Sequence, residues 1–214
     1  MRQVNQLVFA STNVDKYREF EALLKVLPGV TLVSAEAVLR NPHKLAFVEK
    51  YATYLENASA KARLANQGCH YPCFADDTGL EVEALEGRPG VHTARFASLP
   101  SLERSRSKQD EANVVKLLGE MKGQANRNAR FVSTVALMVE GLLIHGTGVL
   151  EGTLAQEPRG DKGFGYDPIF IPKGSDRTLA EMSETEKNAI SHRARALQDL
   201  ILQLQARGVI LAKP

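Results

Sequence analysis

The opening of the chain restricts the fold more than any later stretch, because an apolar run, a polar turn, a helical stripe and a second apolar run follow one another without a break. Residues 6–10 (QLVFA) read as a buried strand and Ser11-Thr12-Asn13 as a short polar turn. From residue 14 to residue 27, Tyr17, Phe20, Leu23, Leu24 and Leu27 recur at helical spacing. Pro28-Gly29 ends that helix, and residues 30–33 form a second strand. Strand, helix and strand in immediate succession predict an α/β fold in which helices cover a sheet.

The later segments extend the pattern. Thr53 and Glu56 have capping-box spacing, and Tyr54, Ala58, Ala62 and Ala65 then make a core stripe with Asn57 and Lys61 on its border. Gly68 is expected to close this helix. Residues 73–75 read as a strand, followed by Asp76-Asp77-Thr78-Gly79, for which an Asx-turn cap with Gly79 is the plainer alternative to a metal-binding acid pair, and Leu80 and Val82 read as part of a further strand. Residues 101–123 predict a polar helix with Val114, Leu117, Leu118 and Met121 facing the core. Residues 129–140 and 142–150 predict an antiparallel pair joined tightly at Glu140-Gly141, with 152–155 extending it. A glycine-rich loop, 160–172, runs into a short strand, and a last helix starts near Ser183 and ends at Gly208. The expectation is one domain, 1–214, with residues 129–155 as a candidate second lobe.

Composition narrows the function. The chain has 214 residues, 43% of them hydrophobic, and a net charge of +2, which excludes disorder as its main state and leaves no basic block for duplex nucleic acid. No window approaches the ~18 apolar residues of a membrane span, and the N-terminal apolar run is too short for a secretory signal, so a cytoplasmic location is expected. Cys69 and Cys73 are too few for a disulfide framework. With His70 they form C-H-x-x-C, but a closed zinc site needs about four ligands and the other histidines have no matching spacing.

Four groups can carry chemistry. Ser11, Thr12, Asn13 and Lys16 stand between a strand and a helix, where amide groups, hydroxyls and an ammonium favour an anion; an N-cap beside a solvated lysine is the plainer alternative. No Walker loop and no G-x-G-x-x-G is present. Asp76-Asp77 follow an apolar strand, where magnesium fits, since it takes one or two carboxylates with phosphate oxygens and waters. Glu49 is a candidate second acid. Gly163-Phe164-Gly165-Tyr166-Asp167-Pro168 offers close backbone approach, two aromatic faces for a base and a carboxylate acceptor, or else a structural turn. In one unbroken helix His192 would point away from the core at ~100° per residue. A break near Ser191 would instead turn His192 and Arg193 towards a pocket, with Lys187 on the preceding turns; the break is the expected form.

Taken together these groups suit a nucleoside triphosphate with magnesium. The segments ASTNVDKYREF (10–20), YLENASAKA (54–62), FADDTGLEVEAL (74–85), GRPGVHTARF (87–96), GDKGFGYDPIF (160–170) and EKNAISHRARAL (186–197) resemble, in order, those of the inosine/xanthosine triphosphate pyrophosphatase family. The resemblance implies a long central mixed sheet with helices and two lobes flanking a substrate cleft. It also implies a homodimer, with residues 89–96 as a candidate dimer loop, and magnesium-dependent hydrolysis of ITP, dITP and XTP to the monophosphate and pyrophosphate. By that resemblance Asp77 is the essential acid, and Asp77 and Glu49 hold the metal. Ser11, Thr12, Asn13 and Lys16 match the triphosphate-binding turn, and Thr78 matches a substrate contact. Phe164, Gly165, Tyr166, Asp167, Lys187, His192 and Arg193 match base- and phosphate-binding positions. Ser11-Thr12 replaces the family's common Thr-Gly, and the stretch before the capped helix lacks its usual double-acid and glycine pattern. Two alternatives remain: a pyrophosphatase for modified pyrimidine nucleotides and a non-catalytic nucleotide sensor.

Overall fold

The computed structural model describes residues 2–25, 27, 29–100 and 105–211. Among them the strands are β1 (Arg2–Val4), β2 (Gln6–Phe9), β3 (Thr31–Ser34), β4 (Cys73–Val82), β5 (Pro89–Gly90), β6 (Asn128–Val139), β7 (Leu142–Leu154), β8 (Phe170–Pro172) and β9 (Val209–Leu211). The helices are α1 (Val14–Leu24), α2 (Ala35–Val38), α3 (Tyr54–Cys69), α4 (Arg106–Glu120), α5 (Glu184–Ile190) and α6 (His192–Gln205). The main sheet has the order β3-β2-β4-β6-β7-β8, with β5 paired to β4. It is mixed: β2 runs parallel to β3 and β4, whereas β5 and β8 are antiparallel to their neighbours. β1 and β9 form a separate parallel pair.

The described chain divides into two compact units. One comprises Met1–Asp77, Ser133–Gly148 and His192–Pro214. Its core joins Phe9, Phe20 and Phe74, whose ring centroids lie 4.9–5.2 Å apart, to Val135, Leu137, Leu197 and Leu200. Each such side chain stabilises the fold by about 1.5–3 kcal/mol through its burial. Helix α6 lies directly on β7 here, because Gly146 and Gly148 have no side chain: a Cβ at Gly148 would collide with the His192 carbonyl and the Ala196 amide. The other unit comprises Thr78–Val132 and Val149–Ser191. Leu80, Leu117, Phe131, Ile169 and Phe170 lie at its core, with the Phe131 and Phe170 rings 4.6 Å apart.

Several boundaries differ from the sequence reading. Asp76-Asp77-Thr78-Gly79 is no turn; β4 runs through it unbroken. β4 pairs with β2 at Cys73 and Phe74 and with β5 at Leu80 and Glu81, on either side of this stretch, and cationic side chains compensate the two acids. Gly68 lies inside α3, and the left-handed residue that ends the helix is His70, with φ 60°. Helix α1 ends at Leu24, short of Leu27, while Val26 and Pro28 lie outside the described residues. Helix α4 begins at Arg106, and residues 101–104 of the expected helix also lie outside them. The tight connection at Glu140-Gly141 is present, with positive φ at both residues, as a type I′ hairpin requires. Ser183 caps α5 in a full capping box with Glu186. Ser191, at φ −63° and ψ 152°, breaks the last helix as expected.

Candidate active site

In the first unit, the turn after β2 prepares the start of α1. The Ser11 hydroxyl accepts from the Asn13 amide at 3.2 Å, and Asn13 Oδ1 caps α1 by accepting from the amides of Asp15 and Lys16. The N-cap alternative therefore holds for Asn13, while Thr12 is exposed. Lys16 is not solvated: its Nζ lies 3.0 Å from Asp76 Oδ2. The same oxygen lies 3.4 Å from Arg193 Nε, and Arg193 Nη1 donates to Glu19 Oε2 at 2.7 Å. The break at Ser191 thus delivers Arg193 to the acids, and His192, the first residue of α6, is buried beside it.

Helix α3 supplies the other half of this cluster. Lys61 donates to Glu49 Oε1 at 2.7 Å and to the backbone carbonyl of Asp76, and its Nζ lies 3.8 Å from Asp77 Oδ1. Asn57 donates to Asp77 Oδ2 at 3.0 Å and to the Tyr51 carbonyl at 3.3 Å, while its own Oδ1 accepts from the Tyr51 amide. Asn57 therefore orients one Asp77 oxygen and ties the segment after Glu49 to α3.

The two adjacent acids have opposite electrostatics. Burial alone would raise the Asp76 carboxyl, but Lys16, Arg193 and Lys61 outweigh it and hold it well below the usual range. Burial does raise Asp77, with Glu49 adding to the effect and Lys61 and Lys16 opposing it. Burial would raise Glu49 as well, yet Lys61 and Lys16 bring it down. Lys16 is lowered, by burial first and then by the neighbouring Lys61 and Arg193, although Asp76 pulls the other way. Lys61 is raised, because its three acids exceed the cost of burial.

Asp77 and Glu49 converge on one ammonium, and the Glu49 side chain is 30% exposed. Two carboxylates with an open side suit magnesium, whose remaining positions are filled by phosphate and water. Asp76, 0% exposed and held by Lys16 and Arg193, does not suit it. Among the described residues no three His, Cys, Asp or Glu side chains form a cage that could hold a metal without a ligand's help.

In the second unit, the glycine-rich loop is held from three sides. Asp167 Oδ2 accepts from the Phe164 amide at 2.9 Å and from Lys187 Nζ at 2.5 Å. Gly163, at φ +73°, is required, because a Cβ there would strike the Asp167 carboxylate. The Gly165 amide donates to Asp110 Oδ2 on α4 at 3.1 Å, and Arg106 Nε lies 3.3 Å from the same carboxylate. Tyr166 is buried, and its hydroxyl donates to the Thr93 carbonyl. Of the two aromatic residues expected from the sequence to offer faces, Tyr166 is a core residue and Phe164 is half-buried. Lys187 Nζ lies 5.0 Å from the centre of that ring and Arg106 Cζ 6.0 Å. The Asp167 carboxylate, expected as an acceptor for ring or ribose, is buried and engaged by the loop and Lys187. Thr78, the residue after Asp77, is half-buried in β4.

Asn13, Lys16, Glu49, Asp77, His192 and Arg193 therefore belong to one unit, and Phe164–Asp167 with Lys187 to the other. Sequence reasoning gave no role to Lys61, Asn57, Glu19 or Asp110. Asn57 and Lys61 did carry a signal, since both border the apolar stripe of a well-capped helix. Glu19 carried none, as its partner Arg193 is 174 residues away.

Comparison with known proteins places the chain among named relatives. A model of the Ham1 family matches residues 7–203. A dITP/XTP pyrophosphatase of Aquifex aeolicus is 42% identical over 92% of this chain and 95% of its own length. One from Deinococcus deserti is 44% identical over 91% and 87%. A solved HAM1 protein from Coxiella burnetii superposes with a TM-score of 0.76 at 35% identity, covering 94% of this chain and 98% of that one.

Proposed function

The chain belongs to the Ham1 family, and from that premise we propose that it hydrolyses the non-canonical purine nucleoside triphosphates ITP, dITP and XTP to the monophosphate and pyrophosphate, cleansing the nucleotide pool. The observation that carries this reading is the meeting of Lys16, Lys61 and Arg193, from three helices far apart in sequence, around Asp76, Asp77 and Glu49. A protein that only senses a nucleotide gains little from acids placed beside phosphates.

Each group has a task. Asp77 and Glu49 would hold magnesium, which when bound supplies positive charge to the phosphate oxygens. Lys16 and Arg193 stabilise the charge that develops on the departing pyrophosphate, and Asp76 keeps both in place. Asp77 orients the attacking water and accepts its proton as it adds in line, most simply at the α-phosphorus. Asn57 holds that carboxylate in one orientation. No covalent intermediate is needed, so no Ser or Cys nucleophile is assigned. By the family resemblance alone, Lys187 would serve phosphate and Phe164 would offer a face to the base. Recognition of a 6-oxo group, with His192 contributing, disfavours adenine, because a 6-amino group would leave the site's polar groups unmatched.

The family resemblance also supports magnesium as the ion, a homodimer, a cytoplasmic location and one nucleotide-pyrophosphatase domain over 1–214, and these belong to the proposal. Among the described residues no helix is long and apolar enough to cross a membrane. The test is pyrophosphate release from ITP, XTP, dITP, GTP, ATP and dUTP with magnesium. Release from the first three ahead of the rest is expected. Preference for dUTP would move the assignment to pyrimidines, and binding without release from any of them would leave a sensor.

A further inference from the structure

The two cysteines lie in the first unit and are not among the groups given a task above. Cys69 is the last residue of α3 and Cys73 the first of β4, and their sulfurs are 3.4 Å apart. A disulfide needs about 2.05 Å, so closure requires a shift of little more than an ångström. The connecting loop is already shaped for it: His70 is left-handed, and Asn66 Nδ2 holds the Tyr71 carbonyl at 2.7 Å. Cys73 is anchored in the sheet, since the Val8 amide donates to the Pro72 carbonyl at 2.9 Å, so the closing movement falls on Cys69 at the helix end. Among the described residues no third His, Cys, Asp or Glu joins the two thiols in a metal-binding group. That set of donors favours dithiol chemistry over a metal.

We propose that Cys69 and Cys73 are a reversible dithiol–disulfide site, oxidised by low-molecular-weight disulfides. Their exposures assign the order of events. Cys69 is half-buried and meets the oxidant; Cys73 is buried and resolves the product. Burial pushes the Cys73 thiol up and Cys73 Sγ donates to the Tyr71 carbonyl at 3.2 Å, so Cys73 stays protonated until it attacks, and the 3.4 Å approach of the two sulfurs carries the second step. Cys69 Sγ attacks one sulfur of R–S–S–R and releases R–SH. Cys73 Sγ then attacks Cys69 Sγ in the mixed disulfide, its proton passing to the departing second R–SH. The two protein thiols are oxidised by two electrons, and one small disulfide is reduced to two thiols. The new bond ties the end of the helix that carries Asn57 and Lys61 to the start of the strand that carries Asp76 and Asp77.

The test equilibrates the folded full chain with oxidised glutathione, blocks remaining thiols with N-ethylmaleimide and maps peptides by mass. The expected result is loss of both labels, a Cys69–Cys73 linked peptide, and recovery of both labels after dithiothreitol. Cys73→Ser should trap a glutathione adduct on Cys69, and in Cys69→Ser adduct formation at Cys73 should be about tenfold slower or more. Two labelled cysteines in the wild-type chain after exposure, a stable adduct without closure, or a bond between two chains would each overturn the site. The wild-type measurement involves no substitution, so it decides between these outcomes even where a variant fails to fold.

Discussion

At the scale of single residues, the neighbouring acids of β4 should respond oppositely to neutralisation. Asp76 is buried against Lys16 and Arg193, so Asp76→Asn leaves both cations short of charge and should cost about 3–5 kcal/mol at neutral pH. The Asp76 carboxyl is held below its ordinary value of about 3.9. Its stabilisation is therefore complete above that pH and is lost as the pH falls through the depressed folded value. Urea titrations of wild type and Asp76→Asn should differ most near pH 7 and converge in acid; a constant gap down to pH ~2 would contradict the assignment. Asp77 is raised by burial, so its charge opposes folding at neutral pH. Asp77→Asn should leave stability unchanged or increase it by about 0.5–2 kcal/mol, as is common where a residue serves function at the expense of stability. A marked loss of stability in that variant would place Asp77 among the structural ion pairs.

At the scale of elements, two contacts position the functional side chains. Gly148 lets β7 touch the first turn of α6. Gly148→Ala should displace His192 and Arg193, cost about 1–3 kcal/mol through overpacking, and lower kcat in a pyrophosphate-release assay. An unchanged kcat would show that the helix start has room to spare. Asp110 holds the glycine-rich loop through the Gly165 amide. Asp110→Ala should raise KM for ITP about tenfold, in line with the loss of one charge-assisted hydrogen bond of about 1.5 kcal/mol, with kcat less affected. A larger effect on kcat than on KM would mean that α4 acts on the chemistry and not on the loop.

At the scale of the whole molecule, what was legible in the sequence was local. The strand–turn–helix–strand opening, the Thr53 cap, the box at Ser183, the I′ hairpin and the helix break at Ser191 all depend on residues a few positions apart. At Thr53 the hydroxyl accepts from the Glu56 amide, but the Glu56 carboxylate accepts from that hydroxyl and not from the Thr53 backbone, so the expected box is only half formed. The β1–β9 pair was not legible, because each strand has three residues and the partners lie at opposite ends of the chain. The unbroken course of β4 was hidden because Asp, Asp, Thr and Gly favour turns locally, while the strand pairing before and after them and three cations override that preference. For the site, the motif residues could be named in advance, but their partners could not. Glu49 and Lys61, or Glu19 and Arg193, leave no periodic trace, and only the folded chain joins them. Asp77 acting in turnover, and not in binding alone, is the central claim. The most direct test measures both in Asp77→Asn with magnesium: ITP affinity by calorimetry and pyrophosphate release from ITP. Affinity should stay within a few-fold of wild type while release slows by about 10²–10⁴-fold; release at the wild-type rate would contradict the claim.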